Sequence, residues 1–142
     1  MQTRNVPHNL EAEQSVLGAM VLSKFALQKA ADALTKESFY SVNNSIIFDC
    51  LTEMAKKKIP IDLTTLTSEL KNKNKLDEIG GVEYLTEIID YVPTSANVDQ
   101  YIKLVEEAAL LRRLIDVSTD IVSSAYASDI NVNDTLDNAE RK

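Results

Sequence analysis

The chain has one histidine, His8, and one cysteine, Cys50. With no second His or Cys, neither a zinc site of the usual spacing nor a Cys–His nucleophile pair can be assembled. His8 precedes the first helical pattern and reads as a surface or capping residue. Cys50 falls near the apolar side of a predicted helix and reads as a small core residue. The carboxylate pairs Glu11/Glu13, Asp77/Glu78 and Glu106/Glu107 lie at helix starts or on polar faces, where solvated charge is expected rather than an acid–base couple. Gly18, Gly80 and Gly81 are the only glycines, so a G-x-x-x-x-G-K-[ST] phosphate loop is excluded and Gly80-Gly81 is a turn signal. Lys56, Lys57 and Lys58 close a helix, where positive charge suits the dipole. Lys71, Lys73 and Lys75 sit in a connector without interleaved aromatics, so no platform for stacking bases is evident. No catalytic, cofactor or metal site is expected in this stretch of chain.

The elements that carry these residues are all helical by pattern. At 142 residues with 44% hydrophobic content the chain forms one domain, or one domain and an appendage, with a real core. A net charge of −7 forgoes the counterion release that drives phosphate binding, so strong nucleic-acid binding is not expected. No apolar run reaches membrane-spanning length and no signal-peptide pattern opens the chain. The lone cysteine fits a reducing cytoplasm.

Asn9 is placed to cap a first helix with Val16, Leu17, Met20 and Val21 inward, and Gly18 admits the close approach of another helix. Ser23 caps a second, with Phe25, Leu27, Ala30, Ala31 and Leu34 inward. A short turn pinned by Phe39 and Tyr40 leads to a third helix over 45–56, burying Ile47, Phe48, Leu51 and Met54. Ile59-Pro60-Ile61 is extended, and Asp62 caps a fourth helix containing Leu63, Leu66 and Leu70. A fifth, over 82–91, turns Val82, Leu85, Ile88 and Ile89 inward and ends at Pro93.

The stretch 97–127 organises the rest. It lacks Gly and Pro, and one apolar row runs its whole length: Tyr101, Leu104, Ala108, Leu111, Ile115, Val122 and Ala125. A second row changes sides. It is Val98, Ile102, Val105 and Ala109 at first, then, around and after Arg112-Arg113, Leu110, Leu114, Val117 and Ile121. This predicts a helix of roughly eight turns whose first half docks on the head and whose second half docks on another copy. The alternative is a helix sandwiched in its own core. Val132, Leu136 and Ala139 then read as the start of a returning helix that the chain's end cuts short. The expected architecture is therefore all-α: a compact multi-helix head over 1–95, then a helical hairpin over 96–142 whose second helix is truncated. Self-association is expected through Leu111, Leu114, Ile115 and Val122.

Five strings, PHNLEAEQSVLGAMVL, ESFY, PIDLTTL, LDEIGGVEYL and VPTSANVDQYIKLVEEAALLRRLI, resemble the N-terminal domain of bacterial DnaB-type replicative helicases, in that family's order. The Lys56-Lys57-Lys58-Ile59 turn departs from it, standing where an acidic, Gly-containing turn is more common. The resemblance implies an oligomerisation domain, paired into dimers and then a trimer of dimers, forming a collar above RecA-like motors. It implies docking of the primase helicase-interaction domain and, in some bacteria, a response to a helicase loader. It also implies that ATP and magnesium belong to a C-terminal motor absent here. For primase docking the residues named are Tyr84, Ile115 and Ile121, where head and hairpin are expected to meet. The alternatives are the helicase-interaction domain of primase itself and a stand-alone helical interaction module.

Overall fold

A computed structural model describes residues 6–92, 94–127 and 139–140. Among these, the regular elements are all helical: α1 (Leu10–Leu22), α2 (Lys24–Ala33), α3 (Val42–Lys56), α4 (Leu63–Asn72), α5 (Gly81–Tyr91) and α6 (Val98–Ala127). Short 3-10 turns at Lys36–Ser38 and Ser95–Asn97 precede α3 and α6. This is the expected all-α fold. The predicted returning helix, with Val132 and Leu136, lies outside the described residues apart from Ala139 and Glu140, which are helical; Pro93 also lies outside them.

Side-chain capping sets the helix starts. Asn9 Oδ1 accepts from the Ala12 N–H at 2.9 Å and Ser23 Oγ from that of Ala26 at 3.2 Å. At α4 the exchange is mutual: Asp62 Oδ1 accepts from the Thr65 N–H at 2.8 Å, and Thr65 Oγ1 accepts from the Asp62 N–H at 2.9 Å. Ser41 caps α3 by accepting from the Asn44 N–H at 3.2 Å, so that helix starts at Val42 rather than at the expected Ser45. Two helices end on left-handed residues, Lys58 after α3 and Asn74 after α4, each with φ of 59°. The Ile59 N–H reaches back to Met54 O at 3.0 Å and the Lys75 N–H to Leu70 O at 2.8 Å, closing both ends in the same way.

The core gathers around α1. Val16, Leu17, Ala19 and Met20 are buried, and α1 packs against α2, α3 and α5. It approaches α5 closely at Gly18, where an added Cβ would stand 2.7 Å from Ile88 O and 3.2 Å from the Val92 side chain. A glycine is what lets α5 lie this near. Three residues expected inside are not. Phe25 is 62% exposed; it precedes Ala26 by one position, about 100° off the stripe of Ala26 and Ala30 that packs inward. Val82, in the first turn of α5, and Leu104 on α6 are also exposed, the α5 stripe being Leu85 and Ile88.

The chain divides into two compact units: His8–Ala109, and a second one that among described residues holds Val6, Pro7, 110–127, Ala139 and Glu140. A boundary at 95/96 follows the loop before α6. Val98, Ile102, Val105 and Ala108 belong to the buried set, and the compact unit that holds them runs to Ala109. Within the second unit, Arg112 Nη1 donates to Pro7 O at 2.9 Å. No helix among the described residues is long and apolar enough to cross a membrane.

Candidate self-association and docking surfaces

The thirty residues of α6 form one uninterrupted helix, yet its halves bury differently. At about 100° per residue, Val98, Ile102, Val105 and Ala108 share one arc, and all four are buried. From Leu110 onward the apolar arc falls on the other side of the helix. Leu110, Leu111, Leu114, Ile115 and Val122 are exposed there, Leu114 by 59%, and Val117 and Ile121 are half-buried. The positions on that arc in the first half are Asp99, Gln100, Lys103, Leu104 and Glu107, all exposed and mostly polar. The first-half arc is buried as the spacing predicts; beyond it the apolar residues are exposed or half-buried, and Leu104 on the continuous row is exposed as well.

All four residues named for self-association, Leu111, Leu114, Ile115 and Val122, therefore lie on this bare arc. The three named for docking differ. Ile115 is exposed, Ile121 is half-buried and Tyr84 is half-buried within the other unit. Leu104 and Leu110, named in the apolar rows but not in either set, are exposed too, and exposed Tyr126, near the helix end, was in no row.

Tyr84 is held by a buried polar chain that the sequence did not disclose. Its hydroxyl donates to Asn44 Oδ1 at 2.5 Å and accepts from Gln14 Nε2 at 3.4 Å. Asn44 Nδ2 donates to Glu13 Oε1 at 3.0 Å. The Glu13 carboxylate also accepts from the Tyr40 N–H at 2.8 Å and the Ser41 N–H at 3.3 Å. Glu13 was expected as solvated charge at a helix start, but it is 1% exposed. A buried carboxylate is tolerated because its acceptor capacity is met by three donors, two from the turn before α3 and one from α3 itself. Burial pushes the Tyr84 hydroxyl above the usual phenol range, against the lowering effect of its hydrogen bonds with Gln14 and Asn44. Beside this chain, the His8 ring stacks on Tyr40 with centroids 4.3 Å apart.

Cys50 is a buried core residue, as expected. Burial pushes its thiol up to about 11, partly opposed by the Lys73 charge, so it carries almost no nucleophilic thiolate near neutrality. Lys73 pairs with Glu53, which also holds Lys57. No group of three or more His, Cys, Asp or Glu able to hold a metal ion occurs among the described residues.

The profile described as DnaB-like helicase N terminal domain matches residues 5–107. The chain is 42% identical over 141 residues to the replicative DNA helicase DnaC of Bacillus subtilis, covering 99% of this chain and 31% of that protein. It thus spans less than a third of that relative's length. Among solved structures, the N-terminal domain of DnaB helicase from Mycobacterium tuberculosis matches with a TM-score of 0.90 at 37% identity, over 96% of both chains. A DnaB-like replicative helicase, described together with its interactions with primase, shares the fold at a TM-score of 0.77 and 22% identity, over 94% of this chain and 31% of its own.

Proposed function

The chain belongs to the family of DnaB-like helicase N-terminal domains, and from that premise we propose that it is the self-association and primase-docking domain of a bacterial replicative helicase. Copies pair into dimers, and three dimers build the collar of a hexamer during DNA replication. The domain performs no catalysis of its own. ATP and magnesium are used by a RecA-like motor elsewhere in the parent protein, which works in the cytoplasm and in some bacteria answers to a loader.

The observation that supports self-association best is the bare arc of Leu110, Leu111, Leu114, Ile115 and Val122. Each fully buried Leu or Ile contributes about 1.5–3 kcal/mol. Four or five per copy are enough to oppose the entropy of association, although area alone does not set affinity. Docking of primase is supported by the likeness to a helicase described with its primase interactions. Exposed Ile115 and half-buried Ile121 and Tyr84 are the residues proposed for it.

Light scattering across concentration tests the first part: wild type associates, and Leu114→Asp shifts toward the monomer mass with helix content unchanged. Equal masses would reject the pairing face. Titration of primase with Ile121→Ala tests the second, and an unchanged affinity would remove that residue from the site.

A further inference from the structure

A cleft of about 570 Å³ opens beside the junction of α1 and α2, within the His8–Ala109 unit. Its apolar floor includes Val21, Leu27, Ile59 and Ile61, and its volume is in the range of clefts that hold ligands. Leu22 at its edge is 56% exposed. The ionisable residues lining it are Lys24 and Lys58, with no Asp or Glu. In a chain of net charge −7 this is an inversion of the prevailing sign. Neither amine has a carboxylate partner among the described residues.

Each lysine also breaches a local preference, Lys24 in its charge and Lys58 in its backbone conformation. Lys24 is the first residue of α2, whose opening turn contains no acidic residue; a positive charge there opposes the helix dipole. Lys58 adopts φ of 59°, a conformation that favours glycine or asparagine. The equivalent position after α4 is Asn74, a residue suited to it. Lys56 and Lys57 already supply positive charge to the end of α3, so the dipole does not require a third lysine. Two breaches of local preference converging on one cleft point to a role outside folding.

We propose that the cleft between Lys24 and Lys58 is a docking groove for an acidic peptide segment of a partner protein, with its apolar side chains seated on Val21, Leu27, Ile59 and Ile61. Charge complementarity selects this occupant. A nucleic-acid strand would meet two lysines and no aromatic lining, which is poor for stacking bases.

The probe is a fluorescein-labelled peptide alternating Asp or Glu with Leu, Ile and Phe, titrated by anisotropy with the 142-residue chain. Saturable binding is expected, weakening as ionic strength rises from about 0.1 to about 1 M. The double variant Lys24→Glu with Lys58→Gly should melt at the same temperature or higher, because both changes suit their helix ends, yet bind about tenfold more weakly. A lysine-for-acid version of the peptide should not bind. Failure of the acidic peptide to bind, equal binding by its basic counterpart, or unchanged affinity in the double variant would each overturn the proposal. So would tighter binding of oligo-dT, or a fall in the oligomer mass of the double variant, which would assign the cleft to nucleic acid or to a second copy.

Discussion

Tyr84 on α5 and Asn44 on α3, 40 residues apart in sequence, are joined by a 2.5 Å hydrogen bond that the phenol donates. The bond makes Tyr84 a strut of the head as well as a docking candidate, so its alanine variant mixes two effects. Tyr84→Phe removes the hydroxyl alone and should cost about 1 kcal/mol, lowering the melting temperature by ~3–6 °C. Because the ring remains, primase affinity should hold. A thermal melt with a calorimetric titration checks both, and an unchanged melting point would show that the bond contributes nothing.

Glu13→Ala should be far more severe. It strips the acceptor from the part-buried Tyr40 and Ser41 N–H groups and from the buried Asn44 Nδ2, at about 1–3 kcal/mol for each donor that water cannot reach. Loss of the cooperative unfolding transition, or a melting point lowered by more than ~10 °C, is expected in circular dichroism. Glu11→Ala, on an exposed residue, is the matched control and should stay near wild type.

These two glutamates mark where the sequence was legible and where it was not. Caps at Asn9, Ser23 and Asp62 were readable because they are local: a side chain meets a backbone N–H three residues on. The buried arc in the first half of α6 was readable because periodicity survives tertiary context. Glu13 shares the spacing of Val16, Leu17 and Met20, so a signal was present, but residue type alone sent it to solvent. Its donors come from residues 40, 41 and 44, and nothing in the order of the chain announces that they meet it. Phe25 erred the opposite way: a large ring suggested core, while the packing chose Ala26 and Ala30.

Gly18→Ala tests the packing of α1 on α5. Alanine is the better helix former by about 1 kcal/mol, so an open site would gain stability. Here the new methyl would stand 2.7 Å from Ile88 O, a backbone atom that moves only if α5 moves. A net loss of about 1–3 kcal/mol is expected by denaturant titration. A gain would mean that the two helices are not in close contact in solution.

On α6, paired charge insertions separate the two arcs. Val105→Asp places a carboxylate in the head core and should unfold it or cost more than about 3 kcal/mol. Leu114→Asp, on the bare arc, should leave the melt of dilute protein within about 0.5 kcal/mol of wild type. If both variants unfold alike, the second half of α6 is covered by its own chain.

Alkaline pH should weaken the fold. The Cys50 thiol rises from 9.0 to about 11 on burial, and Tyr84 is also raised. Below pH 9.0 both folded and unfolded thiols keep their protons, and this contribution is fully present. Between 9.0 and about 11 the unfolded chain sheds the Cys50 proton first, so stability falls as pH rises. Denaturant midpoints over this window should drop, and the drop should be smaller in Cys50→Ala. An identical slope in that variant would assign the alkaline loss to other groups.

The hydrogen bond from Arg112 to the Pro7 carbonyl has an evolutionary corollary. Its acceptor is main chain, so residue 7 is at liberty to drift in identity without releasing the tether, whereas position 112 must keep a long, permanently charged donor. Tolerance should therefore be lopsided: a library randomised at both positions would keep many residues at 7 and few at 112.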